Sequence, residues 1–383
     1  MNPLFAGLPT SIFARMSGLA AEHGAVNLGQ GFPDFGWPED VVDRGAALLR
    51  DGSNQYPPMR GLPELRQAIC DHYRHHQNVG YAIDDITVTS GATEALAAAI
   101  LALVSPGDEV VLFQPLYDAY LPMVRRAGGV PRLVTLTPPD WRITEQALER
   151  AIGPKTRLII FNNPHNPTAR LFRQPELAIV AEACVRHDLV ALSDEVWEHL
   201  VFDGRAHLPL AAQPGMAERT VKVGSAGKIF SLTGWKVGWI AAPPHLVQPI
   251  TSAHQYLAFA TPPNLQAAVA YGLGKADDYF SGMRGAFQAA RDDMLAGLAD
   301  AGYAALRAEA TYFVCLELTA SGIQAEDVTF CDRAVRDAGV AAIPVSAFYD
   351  TDPATNVVRL CFAKRPDTIA RGIERLREAR LLF

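Results

Sequence analysis

The segment SAGKIFSLTGWKVG, residues 225–238, places Lys228 between small residues and Lys236 eight positions later. Most of the chain's 34 basic residues are arginine, so two lysines in one largely apolar segment are unusual. The amine of a desolvated lysine loses its proton readily and can form a Schiff base with an aldehyde. Pyridoxal phosphate is the aldehyde cofactor that proteins commonly hold in this way, so the segment predicts a site for it. The alternative is a surface turn whose lysines are solvated.

Around this segment, short β-branched runs alternate with longer helical stretches from about residue 84 to residue 243. The runs are apolar throughout rather than alternating, which indicates strands covered on both faces. Strand–helix alternation predicts an α/β fold with a mostly parallel sheet in a three-layer αβα domain, which binds ligands at the carboxyl ends of its strands. The predicted strands cover residues 86–90, 109–114, 130–136, 157–161, 189–193, 220–224 and 237–241, and the predicted helices cover 93–104, 116–127, 145–152 and 175–188.

The two ends of the chain have a different pattern. Beyond about Asp292, helices predicted at 292–301, 328–338 and 366–379 accompany short strands at 312–318 and 357–362, which indicates a smaller α+β domain. The first forty residues are rich in glycine and proline and predict an arm that crosses the molecule. We therefore expect an arm with part of the small domain at 1–42, a large cofactor-binding domain at 43–290, and a small C-terminal domain at 291–383.

The bulk composition excludes several classes of protein. The 383 residues carry a formal charge of −7, which gives no indication of a nucleic-acid surface. No apolar run is long enough to cross a bilayer, and no basic segment followed by an apolar one suggests a signal peptide. The five scattered cysteines form no CxxC pair, so we expect buried thiols, no metal site and a reduced, cytoplasmic setting.

The segments on either side supply groups that this cofactor needs. Its pyridine nitrogen stays protonated beside a carboxylate, and Asp194 ends an apolar strand where a charge needs a partner, unless it caps the next helix. Its phosphate needs backbone N–H groups, which a helix beginning at Gly91, Ala92 and Thr93 can present. The same sequence would also suit an ordinary helix N-cap at Thr93 that binds no phosphate. Ser225 and Lys236 flank Lys228 and can point at the same phosphate.

Three further residues match the ring and the substrate. Tyr117 follows a strand end, where it can stack on a ring, although a core tyrosine is the alternative. The Asn-Pro steps around Asn166 force a turn whose side-chain amides face the strand end. His165, within the same turn, is interpreted as a turn residue. Arg359 is a lone arginine inside an apolar strand, so it matches an α-carboxylate, unless an internal salt bridge holds it.

Together these segments resemble the fold-type I pyridoxal-phosphate enzymes, in the class I/II aminotransferase family. The resemblance covers nearly the whole chain and is strongest to the group that includes methionine aminotransferase and the kynurenine–oxoglutarate (glutamine) transaminases. It depends on segments that occur in the family's order, which are residues 27–35, 54–56, 89–96, 164–167, 193–196 and 225–238, together with Arg359.

The resemblance implies a role for each matching residue. Lys228 would be the Schiff-base lysine and proton shuttle. Its cofactor would be held by Asp194 at the pyridine nitrogen, by Asn166 at O3′ and by Tyr117 on the ring. The phosphate of the cofactor would be held by Lys236, Ser225, Gly91, Ala92 and Thr93. Arg359, Asn166 and the backbone of Gly31 would meet the substrate. Tyr56 and Phe259 match residues that dimers of the family lend to the neighbouring subunit's site, so the resemblance implies a homodimer with shared sites.

Two positions depart from the family pattern. Trp197 stands where the family usually has a tyrosine whose hydroxyl binds O3′, and an indole N–H can donate one hydrogen bond but cannot accept one. Either Trp197 replaces that tyrosine or Asn166 acts alone. Ala169 replaces a common glycine, for which we expect a mild backbone adjustment with little chemical consequence.

These observations predict a ping-pong transamination between an L-amino acid and a 2-oxo acid. Five aromatic residues are candidates for an apolar side-chain pocket, and each of them could instead belong to the core; they are Phe13, Phe32, Tyr56, Tyr117 and Phe259. No second arginine is clearly placed to bind a distal carboxylate. The pocket therefore favours methionine, phenylalanine, tyrosine, histidine, kynurenine or glutamine over aspartate as the amino donor. A β-lyase acting on cysteine S-conjugates or cystathionine would share the same residues. A non-catalytic regulator loaded with the cofactor is the other alternative, although no basic arm accompanies the chain.

Overall fold

A computed structural model describes residues 3–383, so Met1 and Asn2 of the predicted arm lie outside the described residues. The described chain forms strands that we number in chain order: β1 Val26–Asn27, β2 Ile86–Ser90, β3 Glu109–Gln114, β4 Val130–Thr135, β5 Thr156–Asn162, β6 Val190–Asp194, β7 Thr220–Ser225, β8 Val237–Ala241, β9 Ala304–Ala305, β10 Phe313–Glu317, β11 Val340–Ala341, β12 Ile343–Pro344 and β13 Val357–Cys361.

The α-helices of the same residues are numbered in the same way. They are α1 Pro3–Ala6, α2 Ile12–Glu22, α3 Glu39–Asp51, α4 Pro63–Gln77, α5 Gly91–Leu103, α6 Tyr120–Arg126, α7 Glu145–Ala151, α8 Gln174–Arg186, α9 Ala226–Ile229, α10 Pro244–Leu257, α11 Pro263–Leu273, α12 Asp277–Asp300, α13 Asp327–Ala338 and α14 Pro366–Arg380. None of these helices is both long and apolar enough to span a membrane.

A seven-stranded sheet of order β2-β8-β7-β6-β5-β3-β4 forms the centre, and it confirms the predicted α/β fold with a mostly parallel sheet. Strand β8 alone runs antiparallel to both its neighbours. A parallel return needs a crossover of about a dozen or more residues, and the short connection between β7 and β8, occupied by α9 and a tight turn, folds back on itself instead. Apart from the edge strand β4, the strands are almost entirely buried, because helices cover both faces.

Two predicted helices have different bounds. The helix expected over 116–127 begins only at Tyr120, because the backbone N–H of Leu116 donates to the carbonyl of Phe348 at 2.8 Å and holds the preceding segment extended. The helix expected from residue 292 is the end of α12, which begins at Asp277. The predicted domain boundary at 290/291 falls inside α12, so the division into domains stays a prediction.

The C-terminal part forms a four-stranded antiparallel sheet of order β12-β13-β10-β9. The arm contacts the C-terminal part outside this sheet. Strand β1 pairs with β11 in a separate two-stranded sheet, and Arg15 forms an ion pair with Asp332 at 2.6 Å. All five cysteines are buried and free, as their pattern predicts. Strand β13 carries Arg359 toward the central sheet, and β2, β3, β5, β6 and β7 all end at the edge that faces it.

Candidate active site

A cavity of about 370 Å³ lies at the carboxyl ends of the central strands. It brings together most of the residues that the sequence singles out, namely Phe13, Gly31, Gly91, Ala92, Thr93, Tyr117, Asn166, Asp194, Trp197, Ser225, Lys228, Lys236 and Arg359. It is also lined by residues that sequence reasoning missed, among them Gln30, Asn162, Thr233 and Phe313. The cavity of the single chain does not include Tyr56, Phe259 or Phe32.

Lys228 enters the cavity from α9, the single turn that follows β7. Its Nζ donates a hydrogen bond to the hydroxyl of Tyr312 at 2.8 Å and lies 4.6 Å from the ring centre of Trp197. Burial lowers the pKa of this amine to about 8, and the nearby guanidinium of Arg359 acts in the same direction. A lysine in this state releases its proton far more readily than a solvated one, which argues against the surface turn considered above.

Asp194 ends β6 with only 5% of its surface exposed. Its Oδ2 accepts a hydrogen bond from the Tyr120 hydroxyl at 2.6 Å, and its Oδ1 accepts one from the Val196 amide at 3.4 Å. Both donors are neutral, and burial raises the pKa of the carboxyl group to about 6. The side chain does not cap a helix, since no helix follows within the next turn. It is a buried acid that would gain most from a cation placed in the cavity.

The first turn of α5 forms an anion cradle beside Lys236. Gly91 has a φ of +71°, and a Cβ built on it would lie 3.1 Å from the Nζ and Cε of Lys236. A Cβ on Gly238 would lie 2.6 Å from the Ala92 nitrogen, so this glycine also leaves the helix end room. N–H groups at a helix start attract anions, and here a lysine reaches the same point.

Arg359 is 1% exposed and forms none of the ion pairs within residues 3–383. It donates to Asn166 Oδ1 at 2.8 Å and to the Gly29 carbonyl at 3.3 Å, while its Nε has no partner. The guanidinium carbon lies 3.9 Å from the ring centre of Phe313. Burial lowers the pKa of Arg359 to about 10. The internal salt bridge considered from the sequence is therefore absent from the described residues, and the guanidinium faces the cavity with charge to offer an anion.

Tyr312 is a further residue that sequence reasoning missed. It is fully buried, and its hydroxyl accepts from Lys228 and donates to the carbonyl of Gly31. Its ring meets that of Trp197 edge-to-face, with the ring centres 4.4 Å apart. A tyrosine inside an apolar strand has the pattern of core, so no local signal distinguished it.

The structure shows the backbone conformation of Ala169, at the position where the family commonly has glycine. It has a φ of +59°, in the left-handed region that favours glycine. Its carbonyl accepts from the Glu309 and Ala310 amides, at 2.9 and 3.1 Å, which holds this conformation. The strain costs roughly 1 kcal/mol and lies away from the cavity lining.

The residues present fit pyridoxal phosphate. The cavity offers an amine with a lowered pKa, a buried acid without a cationic partner, and a helix start with a lysine beside it. These three features match the aldehyde, the pyridinium and the phosphate of one molecule. Tyr56 and Phe259 lie elsewhere, 86% and 40% exposed, with their rings in edge-to-face contact at 5.6 Å.

Comparison with known proteins agrees with this chemistry. The model of a family described as "Aminotransferase class I and II" matches residues 24–376. The solved structure of N-succinyldiaminopimelate aminotransferase from Mycobacterium tuberculosis has a TM-score of 0.95 and 43% identity, over 99% of this chain and 100% of that one.

Two curated relatives are similar over almost their whole length. Methionine aminotransferase of Escherichia coli K12 is 40% identical over 97% of this chain and 96% of its own. Kynurenine–oxoglutarate transaminase 3 of Rattus norvegicus is 36% identical over 95% of this chain and 87% of its own. The likeness therefore extends over both ends of the chain as well as the cavity.

Proposed function

This chain belongs to the class I and II aminotransferase family, and we propose that it transfers the amino group of an apolar or aromatic L-amino acid to a 2-oxo acid with pyridoxal phosphate. The observation that carries the proposal is a pair of buried charged groups in one cavity, neither of which forms an ion pair with another described residue. Arg359 has no anionic partner and Asp194 has no cationic hydrogen-bond partner. A carboxylate on the substrate and a cationic ring on the cofactor would compensate them.

When bound, the cofactor supplies an electron sink for the bond that breaks at the substrate α-carbon. We infer that Asp194 keeps its ring nitrogen charged, and that Lys236, Ser225 and the α5 start hold its phosphate. Lys228, with its lowered pKa, would take the proton from the substrate α-carbon and return it two atoms away, on the far side of the shared nitrogen. Arg359 and Asn166, joined by their 2.8 Å hydrogen bond, would hold the α-carboxylate and fix the orientation of the reacting bond.

Tyr312 is inferred to position the amine of Lys228. Its hydroxyl proton is committed to the Gly31 carbonyl, so toward Lys228 it can only accept. Accepting from the amine favours the ammonium form and fixes the direction of Nζ between Tyr312 and Trp197. Because Trp197 cannot accept a hydrogen bond, Tyr312 supplies the acceptor on this side of the cavity.

Replacing Tyr312 by phenylalanine should lower the pKa of the Lys228 amine by about one unit below its value of about 8, since an accepted charge-assisted hydrogen bond is lost. The pH dependence of Lys228 acylation in the cofactor-free protein, followed by peptide mass, measures this directly. Tyr303→Phe is the matched control, because its hydroxyl binds the Leu376 carbonyl away from the cavity. An unchanged acylation midpoint in Tyr312→Phe, or an equal shift in the control, contradicts the positioning role.

The lining supports an apolar or aromatic substrate side chain. Phe13, Phe313, Trp197 and Tyr117 face the space around Arg359, which is the only arginine among the described residues that line the cavity. The chain is also similar to an enzyme named for N-succinyldiaminopimelate, a substrate with distal carboxylates. Such carboxylates would lack a second guanidinium here, so we favour methionine, phenylalanine or kynurenine.

A panel of amino donors with one 2-oxo acid tests this preference. We expect methionine, phenylalanine and kynurenine to exceed aspartate and N-succinyldiaminopimelate in kcat/KM. A clear preference for either dicarboxylate overturns the assignment of the substrate but not of the reaction. Pyruvate and ammonia formed from a cysteine S-conjugate without an oxo acid would instead favour the β-lyase alternative.

Replacing Arg359 by lysine should reduce kcat/KM for methionine about 10- to 100-fold, because lysine keeps the charge but loses the two-pronged geometry. The kcat/KM for 3-(methylthio)propylamine, which lacks the carboxylate, should fall much less. The ratio of kcat/KM for methionine to that for this amine should therefore decrease. Arg333→Lys, on the exposed side of α13, is the control. Equal losses for acid and amine would contradict a carboxylate contact.

We also propose a homodimer in a reduced, cytoplasmic setting. The exposed pair Tyr56 and Phe259 supports the dimer, since two large aromatic rings are left against solvent in the single chain. The five free, buried thiols support the reduced setting.

A further inference from the structure

Five of the chain's ten histidines gather on the far side of the turn that carries Asp194. His72, His75 and His76 lie on α4, and His199 and His207 follow β6. Three of them, His76, His199 and His207, line a second cavity of about 430 Å³ together with Glu198. The proposed transamination does not use this group.

Three imidazoles form a compact triangle. The ring centres of His72 and His76 are 4.4 Å apart, those of His72 and His199 are 4.8 Å apart, and those of His76 and His199 are 5.2 Å apart. His72 and His76 are four residues apart on one helix, so they share a face. An imidazole bound to zinc through a bond of about 2 Å has its ring centre about 3 Å from the ion, which puts tetrahedral neighbours about 5 Å apart.

Donor atoms of His72, His199 and Glu198 converge, whereas those of His76 group with His75 and Asp277, so the half-buried His76 ring would have to turn to complete the set. The Nε2 atoms of His72 and His199 face each other at 2.7 Å, and a carboxylate oxygen of Glu198 lies within 4.8 Å of both. Glu198 is 6% exposed; its Oε2 binds Gln77 and Lys222, whereas its Oε1 is buried without a hydrogen-bond partner. An unpartnered buried carboxylate oxygen costs free energy that a bound cation would recover.

Burial disfavours the charged form of all three imidazoles. Burial, reinforced by repulsion between the rings, lowers the pKa of His72 to about 3 and that of His199 well below its usual range. Burial and the neighbouring His75 lower the pKa of His76. Neutral imidazole is the metal-binding form.

We propose that His72, His76, His199 and Glu198 bind one divalent transition-metal ion of the zinc class. Three nitrogens and one carboxylate oxygen suit zinc or cobalt better than magnesium or calcium, which prefer oxygen. A small opening of the His72–His199 contact admits the ion, and the second cavity gives it a path from solvent through His76. The nearby charges are Lys222, paired with Glu195 and Glu198, and Arg284 across the cavity.

The position of this site gives it a structural consequence. Asp194 and the turn that follows it have two sides. Asp194, Val196 and Trp197 line the transamination cavity, and Glu198 and His199 line the second cavity. An ion held by Glu198 and His199 would therefore brace the turn from behind. Binding should raise the thermal stability of the whole enzyme without changing which substrates it uses.

Cobalt is the probe, because tetrahedral Co²⁺ has intense visible absorbance that Zn²⁺ lacks. Enzyme loaded with pyridoxal phosphate, stripped with a chelator and dialysed, is titrated with CoCl₂ and then with ZnCl₂. We expect one Co²⁺ per chain, displacement by one Zn²⁺, and a higher Tm with either ion. The cofactor's own absorbance identifies any ion captured by the cofactor instead.

His76→Ala is the main variant, because His76 is only half-buried and its loss should leave the fold intact. It should weaken Co²⁺ binding at least about tenfold and abolish the Tm shift. His245→Ala, an exposed histidine on α10, is the control and should behave as the unaltered enzyme. The site is overturned if the unaltered enzyme takes up no stoichiometric ion, or if His76→Ala binds Co²⁺ as tightly as the control.

Discussion

Replacing Lys228 by alanine is expected to lower transamination by about 10⁴-fold or more and to remove the covalent attachment of the cofactor. The reason lies in the position of its Nζ, with a hydroxyl acceptor at 2.8 Å and a burial-lowered pKa of about 8. Within residues 3–383 no other amine is so placed, since Lys236, the other lysine of the lining, reaches the anion cradle at Gly91. The measurement is turnover of methionine with a 2-oxo acid, together with the absorbance spectrum of the loaded enzyme.

Borohydride reduction followed by peptide mass provides an independent readout of the same residue. The label should be found on the peptide that contains Lys228, and on no peptide of the Lys228→Ala variant. Lys275→Ala, which removes a lysine paired with Asp40 far from the cavity, should retain both label and turnover. A label on another lysine, or a Lys228→Ala enzyme with near-normal turnover, would remove the basis of the proposed function.

The sequence predicted the parts of the fold that depend on local pattern. Uniformly apolar runs bounded by polar turns indicated the strands, and β2, β3 and β8 have the predicted bounds. Strand direction depends on the length and path of a connection, which is why the antiparallel course of β8 was not predicted. The late start of α6 had a similar cause, since it depends on a hydrogen bond to Phe348, more than 200 residues away.

The site divides in the same way. Lys228, Asp194 and Arg359 were predictable because a charged residue inside an apolar segment is costly and must have a partner or a ligand. Tyr120, which binds Asp194, and Tyr312, which binds Lys228, were not, because a tyrosine in an apolar segment has the pattern of ordinary core. The histidine triangle draws on α4 and a turn more than a hundred residues later, so no local motif could show it.

Replacing Asp194 by asparagine should reduce kcat by about 10³-fold or more, because a neutral amide cannot keep the cofactor ring charged in a site that excludes water. The substitution preserves size, and the Tyr120 hydroxyl can still donate to the amide oxygen. The loss should therefore come with little change in shape. Turnover and the retention of cofactor after gel filtration measure it, and Asp140→Asn, at an exposed ion pair with Arg142, is the control.

The same substitution should stabilise the cofactor-free protein, which separates a functional acid from a structural one. Burial raises the pKa of Asp194 in the folded chain to about 6, against about 4 in the unfolded chain. Below pH 4 both states are protonated and the residue costs nothing extra; as pH rises from 4 to 6, the unfolded state ionises while burial keeps the folded carboxyl protonated, which favours unfolding. Above pH 6 asparagine should thus increase the free energy of unfolding by on the order of 2–3 kcal/mol, and below pH 4 by almost nothing. Urea unfolding of the two cofactor-free proteins at pH 4 and pH 7.5 tests this, and an asparagine variant less stable than the parent at pH 7.5 would mean that Asp194 holds the fold together rather than a ligand.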